Sequence, residues 1–166
     1  MDDSLSQQIN VLSQQLAERL LQLNGTLAVA ESCTGGWLAK VLTDLPGSSQ
    51  WFNGGVVSYT NKAKRQVLKV DEMCLQQFGA VSEEVAKQMA VGALTVFDAS
   101  VSVSITGVAG PTGGTEAKPV GMVCFAIASR SNGVESCTKR FKGGRLEVRQ
   151  QAVLMALLRL TNMLLG

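Results

Sequence analysis

The sequence contains no histidine, and this absence narrows the chemistry open to the protein. Without an imidazole there is no Ser-His-Asp triad, no Cys-His pair, no 2-His-1-carboxylate iron site and no histidine-ligated zinc. Proton transfer then falls to lysine, aspartate, glutamate, tyrosine, cysteine or water. A catalytic serine in such a chain needs another base, and a lysine whose pKa is lowered by burial or by a neighbouring cation is the recurrent solution.

Paired cysteines, excess charge and long apolar runs are also missing. The four cysteines, Cys33, Cys74, Cys124 and Cys137, show no C-x-x-C spacing, so neither a metal site nor a disulfide framework is predicted. The net charge is only +2, and the charges are spread along the chain, which argues against a nucleic-acid partner. No apolar run is long enough to cross a membrane, and the acidic start has no signal-peptide pattern. We therefore expect a cytoplasmic protein with no membrane partner.

What is present is an alternation of helix and strand patterns. Three- and four-residue apolar spacings and capping residues predict helices over 4–24, from Trp37 (after a glycine-containing turn at 32–36) to about residue 45, over 60–68, after Ser82, and from about Arg145 onward. Strands are predicted at 26–31, 54–59 and 100–106, and an antiparallel hairpin at 120–129 and 133–141. The predicted buried helix faces include Leu23 and Val96. We predict one α/β domain over residues 1–166: a three-layer α/β/α sandwich around a mixed, mostly parallel sheet with a late antiparallel hairpin.

A strand-to-helix corner carries two candidate nucleophiles, Ser32 and Cys33. Such corners lie at the carboxyl edge of an α/β sheet, where ligands bind, and the N–H groups at a helix start can hold an anion. Ser32 could be a nucleophile, or Ser32 or Thr34 could simply cap the helix that follows. Cys33 could react without histidine because a helix N-terminus lowers a thiol pKa, or it could be a buried, inert thiol.

The next strand also ends on polar residues, Tyr59, Lys62 and Lys64. Lys64 lies five residues past Tyr59, so one helical turn could bring both toward Ser32. Lys62 and Lys64 are both candidate bases, although most lysines are solvated surface charges. Tyr59 could instead be a core aromatic residue whose hydroxyl is satisfied at the rim.

The glycine-rich loop at 107–119 matches neither of the common phosphate-binding signatures in full. Its backbone N–H groups and Lys118 could still wrap a phosphate, whereas a flexible connection would use the same glycines. Arg145 and Arg149, four residues apart, could clamp a phosphate or pair with carboxylates such as Glu147.

In combination, these motifs resemble the C-terminal domain of the competence/damage-inducible protein CinA. The resemblance covers nearly the whole chain and rests on AESCTGG at 30–36, PGSS and WF within 46–52, VSYTN at 57–61 with Lys64, GAVS at 79–82, and ITGVAGP through KPVG within 105–121. Stand-alone members of this family are nicotinamide-nucleotide amidohydrolases. The resemblance therefore implies hydrolysis of the carboxamide of nicotinamide mononucleotide to nicotinate mononucleotide and ammonia, in pyridine nucleotide recycling.

The roles of individual residues follow from the same resemblance. It implies Ser32 as nucleophile, Lys64 as base and Tyr59 as a third catalytic residue, with no cofactor and no metal. The oxyanion could then be held by a backbone N–H group of Thr34, Gly35 or Gly36. The residues expected to bind substrate are Cys33, Thr34, Gly35, Gly36, Ser48, Thr106, Gly107, Gly110, Gly113, Gly114, Lys118 and Arg145. We also expect a homodimer or higher homo-oligomer; the alternative function is a non-catalytic nucleotide-binding or partner module.

Overall fold

Helices and strands alternate along the chain, as the sequence predicts. The computed structural model describes residues 3–165 and contains α1 (Asp3–Gln22), β1 (Leu27–Glu31), α2 (Trp37–Thr43), a 3-10 turn (Ser48–Gln50), β2 (Phe52–Val57), α3 (Asn61–Leu68), α4 (Glu72–Phe78), α5 (Glu83–Val96), β3 (Val101–Gly107), β4 (Met122–Ser129), β5 (Gly133–Arg140) and α6 (Arg145–Leu165). None of the helices within these residues is long and apolar enough to cross a membrane.

The five strands form one mixed sheet in the order β2-β1-β3-β4-β5. Strand β1 pairs in parallel with β2 and β3, whereas β4 pairs antiparallel with both β3 and β5. The late antiparallel hairpin is thus β4 and β5. Because β2, β1 and β3 are parallel, the chain leaves all three at the same edge of the sheet.

Helices cover both faces of the sheet, which confirms the three-layer α/β/α sandwich. Helices α1, α2 and α6 pack on the face that carries Val29, Val103 and Phe125. Helices α3, α4 and α5 pack on the other face, which carries small residues such as Ala28 and Ala126. The small side chains allow α5 to approach the sheet closely.

Side chains along β1 alternate between the two helix layers, and this alternation decides which layer the residues at the end of the strand face. Leu27 and Val29 point toward α1, α2 and α6, and Ala28 and Ala30 point toward α3, α4 and α5. Because successive strand side chains point to opposite faces, Glu31 is directed toward α2 and the residue after it toward α3.

Helix α2 begins at Trp37, as predicted, because Gly35 and Gly36 have φ of +63° and +94°, outside the helical region. Other predicted boundaries and faces were wrong. Leu23 and Val96 are each 48% exposed; Leu23 lies in the turn after α1, and Val96 is the last residue of α5. Helix α4 was not predicted as a helix, although Asp71 caps it by accepting a hydrogen bond from the Cys74 N–H at 3.1 Å.

Candidate active site

Ser32 and Lys64 meet at the carboxyl edge of β1. Lys64 Nζ donates a hydrogen bond to Ser32 Oγ at 3.0 Å and a second one to the Ser58 carbonyl at 2.6 Å. Lys64 is 1% exposed and Ser32 is 8% exposed, so the pair is shielded from bulk water. Thr60 caps α3 by accepting a hydrogen bond from the Ala63 N–H at 3.1 Å, which begins the helix that turns Lys64 inward.

Burial changes the protonation of Lys64. Desolvation disfavours the ammonium form and lowers the pKa of Lys64 from 10.5 to about 8. At pH 7 roughly a tenth of a lysine with such a pKa is neutral, against roughly 0.03% of an ordinary lysine. A neutral amine could accept the Ser32 proton and still donate to the Ser58 carbonyl, so the geometry fits a general base.

Cys33 is next to Ser32 in the sequence, but burial makes its thiol less reactive. It is 5% exposed, and burial raises the pKa of its thiol from 9.0 to about 12. At neutral pH the sulfur is therefore protonated, and the reactive form of a cysteine is the thiolate. The structure thus favours Ser32 over Cys33 as the nucleophile.

Glu31, for which the sequence motifs predict no role, holds the start of α2. Its carboxylate is 1% exposed and accepts hydrogen bonds from the N–H groups of Gly36, Leu38 and Ala39 at 3.1, 3.1 and 2.8 Å. The alternative in which Ser32 or Thr34 simply caps this helix does not hold, because the N-cap residue is Gly36 and a buried carboxylate replaces the usual hydroxyl. The sequence feature that could have indicated this role of Glu31 is an acidic residue at the end of an apolar strand, directly before a turn.

Arg149 holds the same corner from α6. Its Nε donates to the Cys33 carbonyl at 3.1 Å, its Nη2 donates to the Thr34 carbonyl at 2.9 Å, and its guanidinium lies 5.4 Å from the centroid of the Trp37 ring. Both expected uses of Arg149, a phosphate clamp and a pair with Glu147, are replaced by these contacts with the corner.

Two of the three predicted oxyanion donors are already engaged. The Gly35 N–H donates to the Ser32 carbonyl at 3.0 Å, and the Gly36 N–H donates to Glu31 Oε2 at 3.1 Å. Within residues 3–165 the Thr34 N–H has no acceptor, and Thr34 is fully buried. The Thr34 N–H is therefore the one predicted donor left without a partner in the described residues, but it is enclosed by the protein and does not line the cavity over the Ser–Lys pair.

A cavity of about 280 Å³ opens over the Ser–Lys pair. The predicted site residues that line it are Ser32, Cys33, Tyr59, Lys64, Thr106, Gly107, Gly110, Gly113 and Arg145. Residues that were not predicted also line it, namely Ala80, Val81, Val108, Ala109 and Thr112. Its size lies near the lower end of the roughly 300–1,000 Å³ usual for ligand pockets, so a small ligand fits it.

Hydrogen bonds tie the rim of this cavity together. Arg145 donates from Nη2 to the Tyr59 hydroxyl and from Nη1 to the Gly110 carbonyl, both at 2.8 Å. The Thr106 hydroxyl donates to the Ala80 carbonyl at 2.8 Å. Tyr59 is 55% exposed, so it is a rim residue and not a core aromatic.

Several predicted site residues do not reach the cavity. Ser48 precedes β2, at the amino edge of the sheet, and the six residues of β2 separate it from the site by roughly 20 Å. Lys118 donates to the Phe78 carbonyl, and neither it nor Gly114 lines the cavity. Thr34, Gly35 and Gly36 lie behind the lining, and Lys62 is exposed at the start of α3. Ser48 lies outside the cavity of this chain because a parallel strand carries its two ends to opposite edges of the sheet, and its role in binding stays a prediction.

A larger groove lies at the C-terminal end of α3. It measures about 510 Å³ and runs along α5, lined mainly by apolar groups that include Leu68, Val91 and Val96. Neither Ser32 nor Lys64 lines it. The smaller cavity is the better candidate for chemistry because a buried base, a hydroxyl and an arginine converge there.

The fold and the site together define a class: an α/β protein with a buried Ser–Lys pair in a cavity at the carboxyl edge of a mixed sheet. The chain belongs to the CinA C-terminal domain family, whose family model matches residues 9–164. This confirms the family resemblance seen in the sequence motifs.

Curated relatives include both short and long proteins. The chain is 51% identical over 148 residues to the nicotinamide-nucleotide amidohydrolase PncC of Escherichia coli K12, with 88% of each chain covered. It is 45% identical over 139 residues to a CinA-like protein of Fervidobacterium nodosum, covering 84% of this chain and 34% of that protein.

Solved structures share the fold. The crystal structure of the competence/damage-inducible protein CihA from Agrobacterium tumefaciens superposes with a TM-score of 0.92 at 41% identity, covering 96% of both chains. A CinA superfamily protein from Klebsiella pneumoniae superposes with a TM-score of 0.91 at 36% identity, covering 95% of this chain and 98% of the other.

Proposed function

We propose that this protein hydrolyses the carboxamide of nicotinamide mononucleotide to nicotinate mononucleotide and ammonia, as a step in pyridine nucleotide recycling. The observation that carries the proposal is the 3.0 Å contact between Lys64 Nζ and Ser32 Oγ at the base of the cavity. The substrate comes from the relatives, which are named nicotinamide-nucleotide amidohydrolases and are 51% identical to this chain. A cytoplasmic location is part of the same proposal.

In the first half of the reaction, Ser32 Oγ attacks the carboxamide carbon. Neutral Lys64 takes the hydroxyl proton, and the carbonyl oxygen becomes an oxyanion. Of the three N–H donors expected for this oxyanion, Gly35 and Gly36 donate elsewhere and Thr34 does not line the cavity, so the donor is left unassigned in this scheme. Ammonia leaves after Lys64 returns the proton, directly or through Tyr59, which Lys64 then reprotonates; the nicotinoyl group remains as an ester on Ser32 and Lys64 is neutral again.

In the second half, water hydrolyses this ester. Lys64 removes a proton from the water, the ester bond to Ser32 Oγ breaks, Lys64 returns the proton to Ser32 Oγ, and nicotinate mononucleotide is released. The phosphate lies against Arg145 and the glycines at 107–113, which line the cavity, while Lys118 is occupied by the Phe78 carbonyl. No step of this scheme uses a cofactor.

The test is ammonia release from nicotinamide mononucleotide by purified wild type, Ser32→Ala and Lys64→Ala. Both variants should lose at least about 10³-fold in kcat, because nucleophile and base act as a unit. Ser32→Ala should keep the wild-type melting temperature to within a few degrees, since a hydroxyl that is 8% exposed is exchanged for a hydrogen.

Lys62→Ala is the matched control, because Lys62 is exposed and lies two residues from Lys64. It should keep wild-type activity. An inactive Lys62→Ala beside an active Lys64→Ala would assign the base to Lys62. Wild-type protein that binds nicotinamide mononucleotide in calorimetry but releases no ammonia would instead support the non-catalytic module.

A further inference from the structure

We propose that Ala80 and Val81 are specificity-determining residues, which form the wall of the cavity against which the ring of the carboxamide substrate lies. The inference rests on the proposed hydrolysis and deepens it, because it identifies the part of the cavity that recognises the ring. Both residues lie in the link between α4 and α5, and both line the cavity over Ser32 and Lys64.

This wall lies beside the nucleophile. The Ser32 N–H donates to the Ile105 carbonyl at 2.9 Å, so Ser32 continues the parallel pairing of β1 with β3 and lies next to Thr106. Neighbouring strands are about 4.8 Å apart. The Thr106 hydroxyl donates to the Ala80 carbonyl at 2.8 Å, which places Ala80 over the strand next to Ser32. Helices α3 and α5 cover the same face of the sheet, so the wall lies on the side to which the Ser32 hydroxyl points, toward Lys64.

Side-chain hydrogen bonds hold the wall in place. Three successive carbonyls of the segment accept such bonds: that of Phe78 from Lys118, that of Gly79 from Ser82 and that of Ala80 from Thr106. Thr106 comes directly before the glycine-rich loop and Lys118 lies near its end, so both ends of the loop are bound to the same short segment. A wall fixed in this way limits the size of the ring that fits beside Ser32, since packed groups yield little to an added methyl.

The lining of the cavity separates the ring from the rest of the substrate. The carboxamide of nicotinamide mononucleotide is bonded directly to the ring, so the ring lies beside Ser32 when the hydroxyl attacks the carboxamide carbon. The ring carbons pack best on apolar groups, which Ala80 and Val81 supply there. The ribose and phosphate need hydrogen-bond partners, and the exposed polar residues Tyr59 and Arg145 line the rim.

The experiment compares wild type, Val81→Ala and Val91→Ala, with nicotinamide mononucleotide and its ring-methylated analogues as substrates. Val91→Ala makes the same change in α5, at a residue that lines the larger groove and not the cavity. Truncating Val81 makes room for an added methyl group. For at least one analogue, the ratio of its kcat/KM to that of nicotinamide mononucleotide should rise about 10-fold in Val81→Ala, and every ratio should stay within about twofold in Val91→Ala.

Ala80→Val makes the opposite change to the wall. It should raise the KM for nicotinamide mononucleotide about 10-fold, because two methyl groups occupy space that the ring needs. The pH at which the rate rises should stay as in wild type, since the Ser32–Lys64 contact is unaltered.

Methyl resonances test the contact without turnover. In wild type with ¹³C-labelled valine methyl groups, the Val81 signals should shift when nicotinate mononucleotide is added, because an aromatic ring alters the magnetic field at the groups that it covers. Ribose 5-phosphate, which has no ring, should shift them far less, and the Val91 signals should stay in place with both ligands.

Unchanged ratios for every analogue in Val81→Ala would overturn the inference and leave the proposed function intact. If the wild type released no ammonia from nicotinamide mononucleotide, the proposed function would fail, and the Val81 resonances would still decide whether a ring lies against the wall. If Val81→Ala failed to fold, the same titration of the wild type would decide, and unmoved Val81 signals would overturn the inference.

Discussion

Lys64 is a charged residue type in an almost fully buried position. Its two hydrogen bonds, to Ser32 and Ser58, compensate only part of the cost of burying an ammonium group, and the pKa falls to about 8. A surface lysine would be far more stable as a cation but useless as a base at neutral pH. Burial disfavours the charged form of Lys64, and for the same reason it allows Lys64 to accept a proton near neutral pH.

The lowered pKa predicts how activity depends on pH. Only neutral Lys64 can accept a proton, so kcat/KM should rise about tenfold per pH unit below the pKa of about 8 and level off above it. Ammonia release measured from pH 6 to pH 10 would show the inflection, and Lys62→Ala should share it. A flat profile, or a rate that falls as the pH rises from 6 to 9, would contradict the role of Lys64.

Cys33 offers a second prediction for a single residue. Since burial raises the pKa of its thiol to about 12, Cys33 should react with iodoacetamide far more slowly than the less buried Cys137 in the native protein. Cys33→Ala should retain activity within a few-fold. Activity lost in Cys33→Ala together with rapid labelling of Cys33 would make the cysteine the nucleophile.

At the level of secondary structure, the start of α2 is stabilised by a residue at the end of β1. The last residue of β1 supplies the carboxylate that satisfies three N–H groups at the start of α2. Negative charge is also favoured there by the helix dipole. Hydrogen bonds to Glu31 therefore connect the end of β1 to the start of α2. Ser32 lies in the turn between the two elements.

Glu31→Gln should destabilise this junction. The amide would turn a donor toward backbone N–H groups that need acceptors, which should lower the free energy of unfolding by about 1–3 kcal/mol. Urea unfolding followed by circular dichroism would measure the change. Glu147→Gln is the control, because Glu147 is an exposed acid in the first turn of α6 and should lose no more than about 1 kcal/mol. Equal losses in the two variants would show that the buried contacts of Glu31 add nothing.

For the whole molecule, the parallel half of the sheet explains where the site forms. The ends of β1, β2 and β3 lead to Ser32, to Tyr59 and to the loop at 107–119, and parallel pairing brings these three exits to one edge. Helix α6 then crosses the same edge from the other layer and adds Arg145 and Arg149. A homodimer or higher oligomer, and a single domain spanning residues 1–166, stay predictions.

Much of this protein could be determined from its sequence because the relevant signals are local. Apolar periodicity and capping residues depend on near neighbours, so the alternation of helices and strands, the sandwich and the pairing of Ser32 with Lys64 through the family motifs could be predicted. The missing histidine restricts the choice of base through composition alone. Only the tertiary structure decided that Ser48 lies at the amino edge of the sheet, that the Glu31 carboxylate accepts hydrogen bonds at the start of α2, and that Arg149 donates to two carbonyls more than a hundred residues earlier in the chain. These contacts depend on burial and on partners brought together by folding, and no spacing along the chain encodes them.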